Sequence, residues 1–165
     1  MIIGEEEIPN ERALLTQEDG PMMASSASVK YIVIHCSATR STRDYTAEQL
    51  LRDHKTRGFH TVGYHFYIRR DGSVTQHRKL LEVGAHCRPW NRCSIGICYE
   101  GGLDADGRPT DTRTPEQTEQ FILLLMRMVK IFPGVRIRGH RDMPGSIPKA
   151  CPCFDAEGVF GYLEK

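Results

Sequence analysis

The chain has 165 residues, 39% of them hydrophobic and 26% charged, which is enough material for one core and one globular domain. Its formal net charge is only +1 and no block of like charge occurs. It therefore lacks the basic footprint that neutralises a phosphate backbone, and nucleic acid is not an expected partner. Six cysteines lie unevenly at positions 36, 87, 93, 98, 151 and 153. In a chain large enough to fold without staples they read as mostly reduced thiols.

Residues 1–28 are predicted to be a poorly patterned extension ahead of a domain spanning 29–165. They carry an excess of acids and have neither a basic start nor a long apolar run, so neither a signal peptide nor a membrane span is expected. The next stretch, "VKYIVIHC", is a continuous apolar, β-branched run, the pattern of a strand covered on both faces, and it carries His35 at its far end. Thr46 with Gln49 forms a capping-box signature, and Gly58 can close the helix that follows. "YHFYIRRDGSVTQH" predicts two strands around the turn Asp71-Gly72. "SIGICYEG" reads as a further strand and "LDADGRPTDTR" as a long polar loop. Thr114, Pro115 and Gln117 supply a cap, a first-turn proline and a capping-box partner. Phe121, Leu124, Leu125, Met128 and Ile131 then repeat at helical spacing until Pro133-Gly134. A short strand, "VRIRGH", delivers His140 to the loop "GHRDMPGSIPKACPCF". The predicted class is α/β (α+β): a central mixed sheet flanked by helices.

Two histidines thus stand at strand ends, where a rigid sheet can hold side chains beside open space. His35, His140 and one cysteine of the pair Cys151/Cys153 would suit a catalytic zinc site with three protein ligands and a fourth position open. Spacing alone leaves this undecided, because a histidine ending an apolar strand also serves as a hydrogen-bonded core residue and a buried cysteine as a small hydrophobe. Strand alternation turns Cys36 away from His35, and sets His65 opposite Tyr64 as a packed, structural residue. His54, His60 and His77 read as surface or packing residues.

Six pieces in order, "YIVIHCSAT", "VGYHFYIRRDGSV", "VGAHCRPWNRCSIGICYEGG", "TPEQ", "GHRDMPG" and "KACPCFD", resemble the zinc-dependent N-acetylmuramoyl-L-alanine amidases of the phage lysozyme and peptidoglycan-recognition-protein superfamily. The resemblance runs from about Lys30 to Asp155. It implies a zinc cleft at one face of the sheet, with ligands His35, His140 and Cys151, catalytic Tyr64 and Lys149, and substrate contacts from His86 and Asn91. It also implies a monomer acting on peptidoglycan or muropeptides, with no nucleic acid or membrane partner, as an endolysin made in the cytoplasm and acting on the wall after release. Three other activities fit parts of the same pattern. One is a peptidoglycan-binding module that does not cut, since the superfamily resembled includes such proteins, and a phage member of it also inhibits a phage RNA polymerase. Another is a cytoplasmic muropeptide-recycling amidase. The third is a thiol hydrolase pairing Cys151 with His140, which leaves His35 without a role.

Overall fold

A computed structural model describes residues 20–146 and 149–165, so most of the expected extension lies outside the described residues. The apolar run becomes strand β1 (Tyr31–Cys36), with Ile32, Val33 and Ile34 fully buried. A strand with no wet face has to lie inside a sheet, and β1 is flanked on both sides. It pairs in parallel with β5 (Ser94–Tyr99), His35 opposite Cys98, and with β7 (Arg136–Gly139), Tyr31 opposite Arg136. The hairpin β3 (Phe66–Ile68) and β4 (Val74–Gln76) forms where Asp71-Gly72 predicts it, Gly72 adopting φ +88°. The five-stranded sheet has the order β4-β3-β5-β1-β7, and only β4 is antiparallel to its neighbour. A two-stranded parallel sheet, β2 (Thr39–Arg40) with β6 (Gly102–Leu103), sits beside it within stretches the sequence presents as loops.

Both predicted capping boxes are present. Thr46 opens α1 (Ala47–Thr56), its side chain accepting from Gln49 N, and Thr114 opens α2 (Pro115–Ile131) in the same way. Phe121, Leu124, Leu125 and Met128 on α2 are buried against the sheet with Ile32, Ile34, Ile95 and Ile97. Burying each such side chain contributes roughly 1.5–3 kcal/mol. A short helix, α3 (Ala156–Phe160), seals the core with Phe154 and Phe160, while Arg113 lies 3.8 Å over the Phe154 ring.

The chain is tied to the domain before Val29. Met23 N donates to Leu81 O and Val83 N to Pro21 O, and the Met23 side chain, 6% exposed, joins the main core. The segment it meets is organised by a buried ion pair, Arg78 to Glu82 at 2.8 Å, with Arg78 also donating to Val62 O and Val83 O. Met23→Ala should therefore lower unfolding free energy by about 2 kcal/mol. A chain starting at Ser28 should melt lower than the parent while still folding, as thermal unfolding will show.

His54, His65 and His77 are buried, and neither ring nitrogen of His77 has a hydrogen-bond partner among the described residues. Desolvation holds all three at a pKa of about 4, below the ordinary 6.5; for His77, His54 and Arg78 add to the depression while Glu48 opposes it. The unfolded chain binds these protons first, so stability is full above pH 6.5 and is lost as pH falls towards 4. Urea titrations should show that loss, and His77→Leu should flatten it.

Candidate active site

Because β1 and β7 run parallel, their carboxyl ends lie at the same edge of the sheet. His35 is the fifth of the six residues of β1, and His140 follows Gly139 directly as β7 turns into a 3-10 turn. Their rings stand 4.7 Å apart, centre to centre. Cys151 returns from the following loop, and its Sγ accepts from Cys36 N at 3.2 Å. One donor atom from each of His35, His140 and Cys151 lies within 4.8 Å of the other two, with Cys151 Sγ 4.0 Å from His35 Nδ1. In a tetrahedron with donors about 2.0–2.3 Å from the ion, neighbouring donors sit roughly 3.5 Å apart. Small movements would bring the three donors to that spacing.

The donor chemistry fits zinc: two imidazole nitrogens and one thiolate, three ligands with a position to spare. Burial and the neighbouring His86 and His140 hold His35 well below its usual pKa, so it is the neutral ring that faces the cluster. Hydrogen bonding from Cys36 lowers the Cys151 thiol and outweighs its burial, with the Lys149 charge helping. Cys153 is oriented otherwise. Its backbone is left-handed, φ +70°, its Sγ stands 3.9 Å from Cys36 Sγ, and that contact and burial raise its pKa. Gly102 makes room for this pair, since a Cβ there would come within 2.5 Å of Cys36 Sγ. All six cysteines are free.

Tyr64 lies just ahead of β3 rather than on a strand, its ring 5.0 Å from that of His35 and 5.5 Å from that of His54. Burial pushes its phenol well above 10, so it is a hydroxyl donor at neutral pH. Lys149 is exposed beside Cys151. His86 turns its Nδ1 to His35 Nε2 at 2.8 Å, and Asn91 uses its Oδ1 to accept from both His86 N and Cys87 N, fixing that loop. His65 is fully buried, bonded through Nε2 to Glu82 O and through Nδ1 to Gly96 N. Trp90 packs against Val33, Cys87 and Met143. Its Nε1 donates to Pro144 O at 2.7 Å and joins the His86 loop to the His140 loop. A lone tryptophan between Pro89 and Asn91 is the only sequence trace of this clasp.

A family model described as N-acetylmuramoyl-L-alanine amidase matches residues 25–154. The chain belongs to this amidase family. It is 41% identical over 124 residues to an endolysin of Klebsiella phage KP32, covering 75% of this chain and 80% of that one. It is 39% identical over 129 residues to an endolysin of Enterobacteria phage T3, covering 78% and 83%. Among solved structures, the endolysin amidase LysCS of Clostridium intestinale URNW superposes with a TM-score of 0.71 at 26% identity, covering 89% of this chain and 91% of that one. The amidase fold predicted for this chain is the fold observed.

The geometry distinguishes the two loop cysteines. Cys151→Ser should empty the site of metal, whereas Cys153→Ser should keep a full complement, because only Cys151 Sγ faces both histidines. Metal content of the two purified variants, measured by mass spectrometry, decides between them.

Proposed function

We propose that this amidase is a zinc hydrolase of the endolysin type, with His35, His140 and Cys151 as ligands and Tyr64 and Lys149 as catalytic residues. The bond cut is the amide joining the lactyl group of N-acetylmuramic acid to L-alanine of the stem peptide, which separates glycan from peptide. The convergence of two imidazoles, that of His35 held neutral by burial, and a thiol with a lowered pKa at the end of two parallel strands carries the reading.

An amide resists water because water is a poor nucleophile and the carbonyl a weak electrophile. Zinc in such a set supplies a Lewis acid for the carbonyl and acidifies water. The chain's own residues do the rest. Lys149, two positions from Cys151 and exposed, brings a positive charge to the oxyanion that develops on the carbonyl. Tyr64, its ring 5.0 Å from that of His35, donates its hydroxyl to the reacting oxygen. Phage endolysins are among the relatives, which supports synthesis in the cytoplasm and action on the wall after release.

A thiol hydrolase draws on the same depressed Cys151 and its approach to His35. Purified protein incubated with muropeptides should release free stem peptide and the lactyl-bearing disaccharide, lose activity to a chelator and regain it with zinc. Activity that survives complete metal removal would favour the thiol route; zinc-loaded protein that binds but never cuts would make it a binding module.

Lys149→Ala should retain zinc and fold but lose on the order of 10²–10³ in kcat, the usual loss when one oxyanion-stabilising group is removed. Tyr64→Phe should retain zinc and packing and also lose turnover, since only a hydroxyl is gone. Single-turnover cleavage with parallel metal analysis measures both.

A further inference from the structure

His86 and Ser94 sit behind the cluster in an arrangement that has a direction. The Trp90 carbonyl can only accept, and Ser94 Oγ lies 2.7 Å from it. The same hydroxyl is 3.3 Å from His86 Nε2. A hydroxyl carries one proton, and the shorter contact takes it, so Ser94 donates to Trp90 O and accepts from His86 Nε2–H. Neutral His86 then has a bare Nδ1. Its neighbour at 2.8 Å is His35 Nε2, which must supply the proton for that bond. With its proton on Nε2, His35 presents a bare Nδ1 towards Cys151 Sγ, 4.0 Å away.

We infer that Ser94 and His86 are positioning residues that set the tautomer of His35, so that its Nδ1 lone pair is the one offered to the metal. The inference rests on the zinc-hydrolase reading for its purpose, though not for its geometry. Run in reverse, the chain would put a proton on His35 Nδ1, where it would block ligation. His65, its ring 6.0 Å from that of His86, has both nitrogens engaged by Glu82 O and Gly96 N and so does not enter the relay.

The fold makes room for the His86 ring deliberately placed in this way. A Cβ on Gly96 would come within 2.7 Å of His86 Cγ, and one on Gly84 within 2.7 Å of His86 Cδ2. Two glycines, one on β5 and one in the loop before it, cradle the ring, and Asn91 pins its backbone. A side chain packed between backbones and bonded at both nitrogens is held for orientation. Such outer partners fix ring direction and raise ligand basicity.

The first test needs no substitution. Long-range proton–nitrogen NMR on metal-free, nitrogen-15-labelled protein at neutral pH should show His86 and His35 both protonated on Nε2, with bare Nδ1. Adding zinc should move the His35 Nδ1 signal and leave its Nε2–H in place. A proton on His35 Nδ1, or ligation through Nε2, overturns the inference. The second test is zinc affinity by competition with a chromogenic chelator. His86→Phe keeps a ring for the cradle but no nitrogen and should bind zinc about 10–100-fold more weakly. His86→Asn, whose Oδ1 can stand in for Nδ1, should recover most of that loss, and Ser94→Ala should fall between parent and His86→Phe. Folded His86→Phe with parental zinc affinity overturns the inference, and if it has also lost muropeptide cleavage the ring belongs to the substrate instead. Should the parent itself hold no zinc, the hydrolase reading fails, while the tautomers measured without metal still decide the relay.

Discussion

The site depends on β1 being pinned from both sides by parallel strands. Six register pairs to β5 and four to β7 leave no freedom to slide, and a slip of one residue would turn His35 to the opposite face. Parallel pairing also dictates which ends meet. Had β7 run the other way, His140 would emerge at the far edge of the sheet, well out of reach of His35. The helices that bury the two faces exist, in effect, to keep this strand dry and immobile.

Gathering several imidazoles in a buried space imposes a second constraint. Protonated, they would repel one another and lose hydration; neutral, each has one donor and one acceptor, and every contact acquires a direction. The burial that lowers the pKa of His35 and His86 therefore also makes their hydrogen bonds orient one another. The same burial makes the surrounding framework sensitive to acid, since His54, His65 and His77 flank the region. Stability and ligand geometry share one physical cause here.

Features that are local in sequence were legible in it. The run "YIVIHC", the two capping boxes and the Asp71-Gly72 turn each specify structure through neighbours a few residues away, and each formed as expected. The strand ends that carry His35 and His140 followed from those elements. What stayed hidden depends on distant partners. Met23 docks on Leu81, β2 pairs with β6 across some sixty residues, and Trp90 bonds Pro144 across 54. Spacing could not choose between Cys151 and Cys153, because the choice is made by a left-handed backbone at Cys153 and by a hollow at Gly102. Ser94 carried no signature at all. Its role comes from a carbonyl four residues earlier and a ring delivered by another loop.

The clasp between Trp90 and Pro144 has an optical consequence. Trp90 is the chain's single tryptophan, and its indole spans the seam between the loop bearing His86 and the loop bearing His140, packed edge-on to Tyr31 at 5.5 Å. Intrinsic emission from this protein is accordingly a one-site signal rather than an average over the fold. Its colour and intensity depend on whether the indole keeps its bond to Pro144 and its packing on Tyr31 or meets water, so the state of that seam can be read without attaching a dye.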